Sequence, residues 1–294
     1  MTVCNQCPRK CGAIREAESS KGAYCRSPES IKLARAALHF GEEPCVSGRN
    51  GSGTIFFSGC NLKCVFCQNE KISHQGFGKT VSTDRLKDIY KELIELGAEN
   101  INLVNPTHYA LQIAKSLDKK LSVPVIYNSS GYESVETLRQ LDGKIDVYMP
   151  DIKYLFRELS LKYSSAKNYP EIAKEAIKEM FRQRGKFVID EKGLIKSGVI
   201  IRHLVLPDNL ENSFECIDWV RDTFKDEVLF SLMTQYTPCN PNPDHPELNR
   251  YLSPEEYKRI TEYFKFCGLK NAYYQEYDIN GEEMIPSFDL TGVN

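Results

Sequence analysis

Thr54-Ile55-Phe56-Phe57-Ser58-Gly59-Cys60-Asn61-Leu62-Lys63-Cys64-Val65-Phe66-Cys67-Gln68-Asn69 is the stretch on which the reading of this 294-residue chain turns. Its apolar start, Thr54–Ser58, reads as a buried strand, and it runs straight into a loop carrying Cys60, Cys64 and Cys67. A cubane iron–sulfur cluster as a rule takes four thiolates. A compact set of three leaves one iron able to chelate a small molecule, so such a site can do chemistry as well as pass electrons. Zinc held by the same three cysteines and His74 is the plainer alternative, but zinc sites are commonly built from CxxC pairs, and this loop holds a single one, Cys64–Cys67.

Working outward, apolar runs alternate with amphipathic stretches. Strands are expected at Thr54–Ser58, Asn100–Val104, Pro124–Asn128, Ile145–Met149, Val199–Leu206 and Glu227–Met233. Helices are expected at Thr83–Leu96, Tyr109–Asp118, Ser134–Leu141, Ile172–Arg184 and Ser213–Phe224. The first helix is the clearest, with Leu86, Ile89, Tyr90, Leu93 and Leu96 at helical spacing behind a Thr83 N-cap. Strand–helix repetition implies a parallel sheet with right-handed crossovers, in an α/β fold. Periodicity alone leaves an open sheet and a barrel equally available.

Polar residues collect just after the strands: Asn105, Thr107 and His108, then Asn128, Ser129 and Ser130, then Asp151 and Lys153, then Gln235 and Tyr236. Arg202 and His203 are neighbours inside the fifth strand, where side chains alternate, so only one of them can face inward. The long connection from Tyr154 to Gly198 suggests a lid or cap, with Asp190-Glu191-Lys192-Gly193 as a turn within it. The expected organisation is a Cys-rich head (1–50), a βα body (51–240) and a carboxy-terminal extension (241–294) with a helix at Pro254–Phe266.

Composition is that of an ordinary globular protein, 41% apolar and 27% charged. The net charge of −2 gives nucleic-acid binding no bulk electrostatic support. No apolar run approaches the roughly 20 residues that span a bilayer, and Met1-Thr2-Val3-Cys4-Asn5 does not read as a signal peptide. A cytoplasmic protein without membrane or nucleic-acid partners is the expectation. The eleven cysteines are an odd number, and seven of them fall in two tight groups, which favours metal ligation over disulfides. The second group, Cys4, Cys7, Cys11 and Cys25, suits tetrahedral zinc, a second iron–sulfur cluster that relays electrons, or no metal at all.

The run from Phe56 to Asn69 resembles the cluster loop of radical S-adenosylmethionine (SAM) enzymes, most closely that of the pyruvate formate-lyase activating enzymes. The run from Cys4 to Gly12 resembles the head of a less characterised branch of their homologues. The resemblance implies a partial (β/α)6 TIM-like barrel and a [4Fe–4S] cluster on Cys60, Cys64 and Cys67. It also implies SAM chelated to the open iron, hydrogen abstraction from a substrate, a reducing and anaerobic setting, and flavodoxin or ferredoxin as electron donor. Asn128-Ser129-Ser130-Gly131-Tyr132 is similar to the family's Asp-Thr-Asn-Gly-Tyr, and Met149-Pro150-Asp151-Ile152-Lys153 to its Met-Leu-Asp-Leu-Lys. These loops would hold SAM and a monovalent cation at Asp151, with Lys153 on the SAM carboxylate. Arg202 matches an arginine near the cofactor, and Gln235 stands where the family has a His. The family's Gly-Gly-Glu turn is replaced by Asn105-Pro106-Thr107-His108, where Asn105 and Thr107 would receive the SAM amine. A glycyl radical enzyme, a small molecule and a peptide stay open as substrates. A non-catalytic iron–sulfur carrier or a zinc-stabilised binding module is the rival outside enzymology.

Overall fold

The structure is a computed structural model that describes residues 2–277 and 286–294. Three short strands, β1 (Thr2–Cys4), β2 (Ala13–Arg15) and β3 (Ser20–Lys21), make a small antiparallel sheet in the head. The chain continues through β4 (Ile31–His39), α1 (Pro44–Ser47), β5 (Ser52–Phe57), α2 (Glu70–Ser73), β6 (Lys79–Val81) and α3 (Thr83–Glu95). Next come β7 (Ile101–Val104), α4 (Ala110–Ser116), β8 (Val125–Ser129), α5 (Val135–Arg139) and β9 (Val147–Pro150). The remaining elements are α6 (Arg157–Ser164), α7 (Tyr169–Arg184), β10 (Val188–Ile189), β11 (Ile195–Leu204), α8 (Leu210–Phe224), β12 (Leu229–Met233), α9 (Pro254–Cys267) and β13 (Ala272–Tyr274).

The main sheet has the order β13-β12-β11-β9-β8-β7-β5-β4-β6, with β10 added to β11. From β5 to β13 every neighbouring pair along this order is parallel, whereas β4 and β6 are antiparallel additions. The parallel α/β architecture is thus the one expected, extended by a seventh parallel strand, β13, in the carboxy-terminal part. The expected boundary at residue 50 cuts across the sheet, because β4 pairs with β5 along its length. The tail also returns to this edge: Leu290 N donates to Ala34 O (3.0 Å) and Ala36 N to Thr291 O (2.8 Å).

Two layers of core arise from the strand alternation. Outward residues such as Phe57, Leu103 and Tyr127 join Leu86, Ile89, Tyr90 and Leu93 of α3 in the large core beneath the helices. Burying each such side chain contributes about 1.5–3 kcal/mol. Ser82, one residue before the expected Thr83, caps α3, its hydroxyl accepting from Arg85 N at 3.0 Å. On the inner face, Ile126, Val147, Met149, Ile200 and Leu229 pack around Cys45 and Val46 of α1. The β4–β5 connection is therefore a plug inside the curled sheet, held by Asn100 Nδ2 donating to Val46 O at 2.7 Å.

The Tyr154–Gly198 connection is not a lid. Its α7 buries Ala173, Ala176, Ile177 and Met180 and packs on β9 and β11 as an ordinary crossover helix, and β10 and β11 form a hairpin around Gly193. Among the described residues, no helix is long and apolar enough to cross a membrane.

Candidate active site

The cluster loop leaves β5 at its carboxy-terminal end and turns at Gly59, whose φ of +90° is open to glycine and strained for other residues. It is clasped from three sides. From the head, Arg9 donates through Nε to Asn61 O (2.8 Å) and through Nη1 to Ser165 O (2.6 Å), its guanidinium lying over Tyr24 and Tyr132. Val65 N donates to Tyr163 O of α6 (2.9 Å), and Asn240 Nδ2 reaches back to Cys67 O (2.9 Å). Ser164 donates its hydroxyl to Cys64 Sγ at 3.0 Å, and Ser73 Oγ lies 3.2 Å from Cys67 Sγ. Burial pushes all three thiols up, Cys67 to about 11, so they stay protonated until a metal takes the proton's place.

Cys60, Cys64 and Cys67 line one cavity of about 290 Å³ at the carboxy-terminal ends of the strands. Asn105, Asn128, Ser129, Asp151, Lys153, Arg202 and Gln235 line the same cavity. Lys153 Nζ donates to Asp151 Oδ2 at 2.6 Å. Arg202 spreads three ways, with Nε on Asp151 Oδ1 (3.2 Å), Nη1 on Glu42 Oε2 (3.2 Å) and Nη2 on Asn128 Oδ1 (2.6 Å). Burial raises the Asp151 carboxyl, but Lys153 and Arg202 outweigh it and hold the group below the ordinary carboxylate range. Lys153 is likewise kept charged against burial by Asp151. The monovalent cation expected at Asp151 meets a different arrangement, since the Arg202 guanidinium already bridges Asp151 and Asn128.

Of the two neighbours on β11, Arg202 faces the lumen. His203 points outward with Nδ1 on Ile152 O (2.6 Å) and Nε2 on Ser213 Oγ (2.8 Å), and burial lowers its pKa to about 4, so it is neutral. Thr107 does not reach the cavity. The 3₁₀ turn Thr107–Tyr109 directs it into the core, where its hydroxyl donates to the buried Glu133 carboxylate. Asn105 adopts a left-handed conformation (φ +57°), and its side-chain amide donates to Gly59 O, which ties it to the cluster loop. In the head, Cys7 and Cys25 are buried and Cys11 is exposed. Among the described residues no three His, Cys, Asp or Glu side chains are grouped as for a single ion, in the head or in the cluster loop.

Glu42 is a charged cavity residue that the sequence did not reveal. Gly41-Glu42-Glu43-Pro44 reads as a solvated turn, and no periodicity marks Glu42 as buried. Ser164 and Asn240 were equally silent, one inside an ordinary amphipathic helix and the other in a Pro-rich loop.

The residues present fit a cluster with SAM. Three thiols of one loop line one cavity, a ligand set that would leave one iron of a cubane open to SAM. Two oxygens of cavity residues, Asn69 Oδ1 and Ser130 Oγ, are buried without a hydrogen-bond partner, as acceptors or donors awaiting a ligand would be.

Comparison with known proteins agrees. An uncharacterized protein of Methanocaldococcus jannaschii is 35% identical over 282 residues, covering 92% of this chain and 76% of that one. The crystal structure of a radical SAM methyltransferase from Sphaerobacter thermophilus superposes with a TM-score of 0.50 at 16% identity, covering 76% of this chain and 66% of that one. A spore photoproduct lyase variant superposes with a TM-score of 0.52 at 13% identity, covering 83% and 81%. At these identities the two structures speak for the fold alone. The Radical SAM superfamily model matches residues 54–215, more than half of the chain, from the first parallel strand, β5, into α8. On that match the chain belongs to the radical SAM superfamily, whose members work with a [4Fe–4S] cluster and SAM.

Proposed function

We propose that this protein cleaves SAM reductively and abstracts hydrogen from a substrate, with Cys60, Cys64 and Cys67 holding the cluster. The single observation that carries this is the convergence of those three thiols and a polar strand-end set on one cavity. When bound, the cluster and SAM supply an electron and a sulfonium C–S bond whose cleavage gives methionine and a 5′-deoxyadenosyl radical. The chain's own residues position and shield. Lys153, with one partner in Asp151, has donors left for a carboxylate, a charge-assisted contact. Asn128, Ser129 and Gln235 offer short polar groups for an amine, ribose hydroxyls and adenine. Phe66, edge-on to Tyr236 with centroids 6.2 Å apart, walls the cavity against water.

The glycyl-radical-enzyme activase is the substrate reading that the sequence resemblance supports, in a reducing cytosol with flavodoxin or ferredoxin as donor. Hydrogen abstraction from a small molecule or peptide is the second reading. It is favoured by the altered turn after β7, where Thr107 is turned away from the cavity. Anaerobic reconstitution, followed by iron and sulfide counts and spin resonance with and without SAM, tests the cluster assignment. Loss of the signal in Cys60→Ala, Cys64→Ala and Cys67→Ala, and its perturbation by SAM in the wild type, are expected. A signal indifferent to SAM would overturn it. A protein-borne glycyl radical on a co-incubated partner separates the two substrate readings.

A further inference from the structure

At the floor of the cofactor cavity, the plug contributes a carboxylate, Glu42, that belongs to no motif of the cluster loop or the strand ends. Glu42 Oε1 accepts from Asn102 Nδ2 of β7 (2.8 Å) and Asn128 Nδ2 of β8 (3.4 Å), and Glu42 Oε2 accepts from Arg202 Nη1 of β11 (3.2 Å). Its side chain is 10% exposed and that of Arg202 is 15% exposed. One buried side chain thus ties three parallel strands together from inside the barrel. The charged groups facing it are Arg202, Asp151 at the end of β9, and Glu43 beside it on the plug. His39 of β4 lines the same cavity. Glu43 Oε2 is buried without a hydrogen-bond partner. The floor therefore holds Glu42, Glu43 and Asp151 against Arg202 and Lys153, a surplus of carboxyl groups over fixed cations.

We propose that Glu42 is a positioning residue: ionised, it fixes Arg202 and Asn128 as the floor of the cofactor cavity, and protonated, it frees one arm of Arg202 and makes the cavity more positive. This rests on the reading that SAM binds in this cavity. SAM carries a net positive charge, so protonation of Glu42 weakens its binding. Burial pushes the Glu42 carboxyl up to about 7 against the pull of Arg202, which places the change near neutrality.

The test uses anaerobically reconstituted holoenzyme and calorimetric SAM binding between about pH 6 and about pH 8, with Glu42→Gln and Glu42→Asp beside the wild type. A unit charge roughly 10 Å away at an effective dielectric of about 20 is worth about tenfold in affinity. Wild-type affinity is expected to weaken about tenfold on acidification. Glu42→Gln should bind weakly at both ends, and Glu42→Asp should recover a pH dependence with a lower midpoint. A second readout needs no cofactor. In the cluster-free protein, wild-type melting temperature should rise relative to Glu42→Gln as pH falls from about 8 to about 5, because the folded carboxyl takes a proton that the unfolded one does not. Glu42→Gln with wild-type affinity and an unchanged pH profile would overturn the proposal. Should Glu42→Gln not fold, an Asp variant with an unshifted midpoint would overturn it equally. No SAM binding by wild type at any pH, with an intact cluster, would instead overturn the cavity reading on which it rests.

Discussion

Gly59→Ala is the substitution whose cost can be worked most directly from the geometry. A Cβ at this position would lie 2.1 Å from Ser27 Oγ, 2.7 Å from Cys25 O and 3.2 Å from His108 Nε2. The Ser27 hydroxyl can swing aside, but the Cys25 carbonyl is backbone and His108 is fixed, its Nε2 2.7 Å from Ser58 O. Holding an L-residue at φ +90° costs about 1–2 kcal/mol. Overpacking against an unyielding neighbour adds about 1–3 kcal/mol. At about 2 °C per kcal/mol for a protein of this size, the combined loss lowers the melting temperature by about 4–10 °C. Gly76→Ala is the control, since φ there is +68° but no heavy atom lies within 4 Å of the new Cβ, so only the conformational part is lost. Thermal melting of the cluster-free proteins, with iron counts after reconstitution, reads both effects. The expected order is wild type, then Gly76→Ala, then Gly59→Ala, with iron reduced only in the last. Equal melting of the two variants would refute the claim that the head packs directly on the cluster loop at Gly59.

Arg202→Met leaves Asp151 without one partner and Glu42 without its guanidinium partner, and should cost about 3–5 kcal/mol in denaturant unfolding. Because the guanidinium bridges Asp151 and Asn128, exchanging potassium for tetramethylammonium should leave wild-type SAM affinity unchanged, and a strong loss would contradict that bridging role. Ser164→Ala removes the hydroxyl donor to Cys64 Sγ and should make the cluster's midpoint potential more negative in a redox titration, since hydrogen bonds to ligating sulfur favour the reduced form. Glu133 is pushed up to about 7 by burial despite its bonds to Thr107 and Tyr127. Its folded pKa exceeds the unfolded value, so it costs stability at high pH, about 3 kcal/mol, and the cost disappears as pH falls through 7 toward 4.5. Glu133→Gln should therefore stabilise most at about pH 8 and least at about pH 5.

The strand that carries the cluster loop, the polar strand ends and the fact that only one of Arg202 and His203 faces inward were legible, because they depend on local alternation and on the few residues directly after a strand; that Arg202 is the inward one came from the family resemblance. The plug was not. Ile31–His39 has mixed spacing (Ile, Lys, Leu, Ala, Arg, Ala, Ala, Leu, His), and its role beside β5 is set by long-range pairing with Ser52–Phe57. Glu42 escaped notice for the same reason, since a carboxylate between Gly41 and Pro44 becomes a lumen residue only once the sheet has curled around it. Thr107 was misplaced because a single 3₁₀ turn after β7 reverses the direction that a strand-end residue would otherwise take. The three clasps on the cluster loop, from Arg9, α6 and Asn240, join segments far apart in the sequence that no local pattern connects.

Reductive SAM cleavage by this protein is read out by the quantity of 5′-deoxyadenosine formed when the anaerobically reconstituted, dithionite-reduced protein is given SAM. Product is expected from wild type and none from Cys64→Ala. Absence of product from wild type with a full, reduced cluster and its candidate substrates present would contradict it, as would undiminished product from the variant.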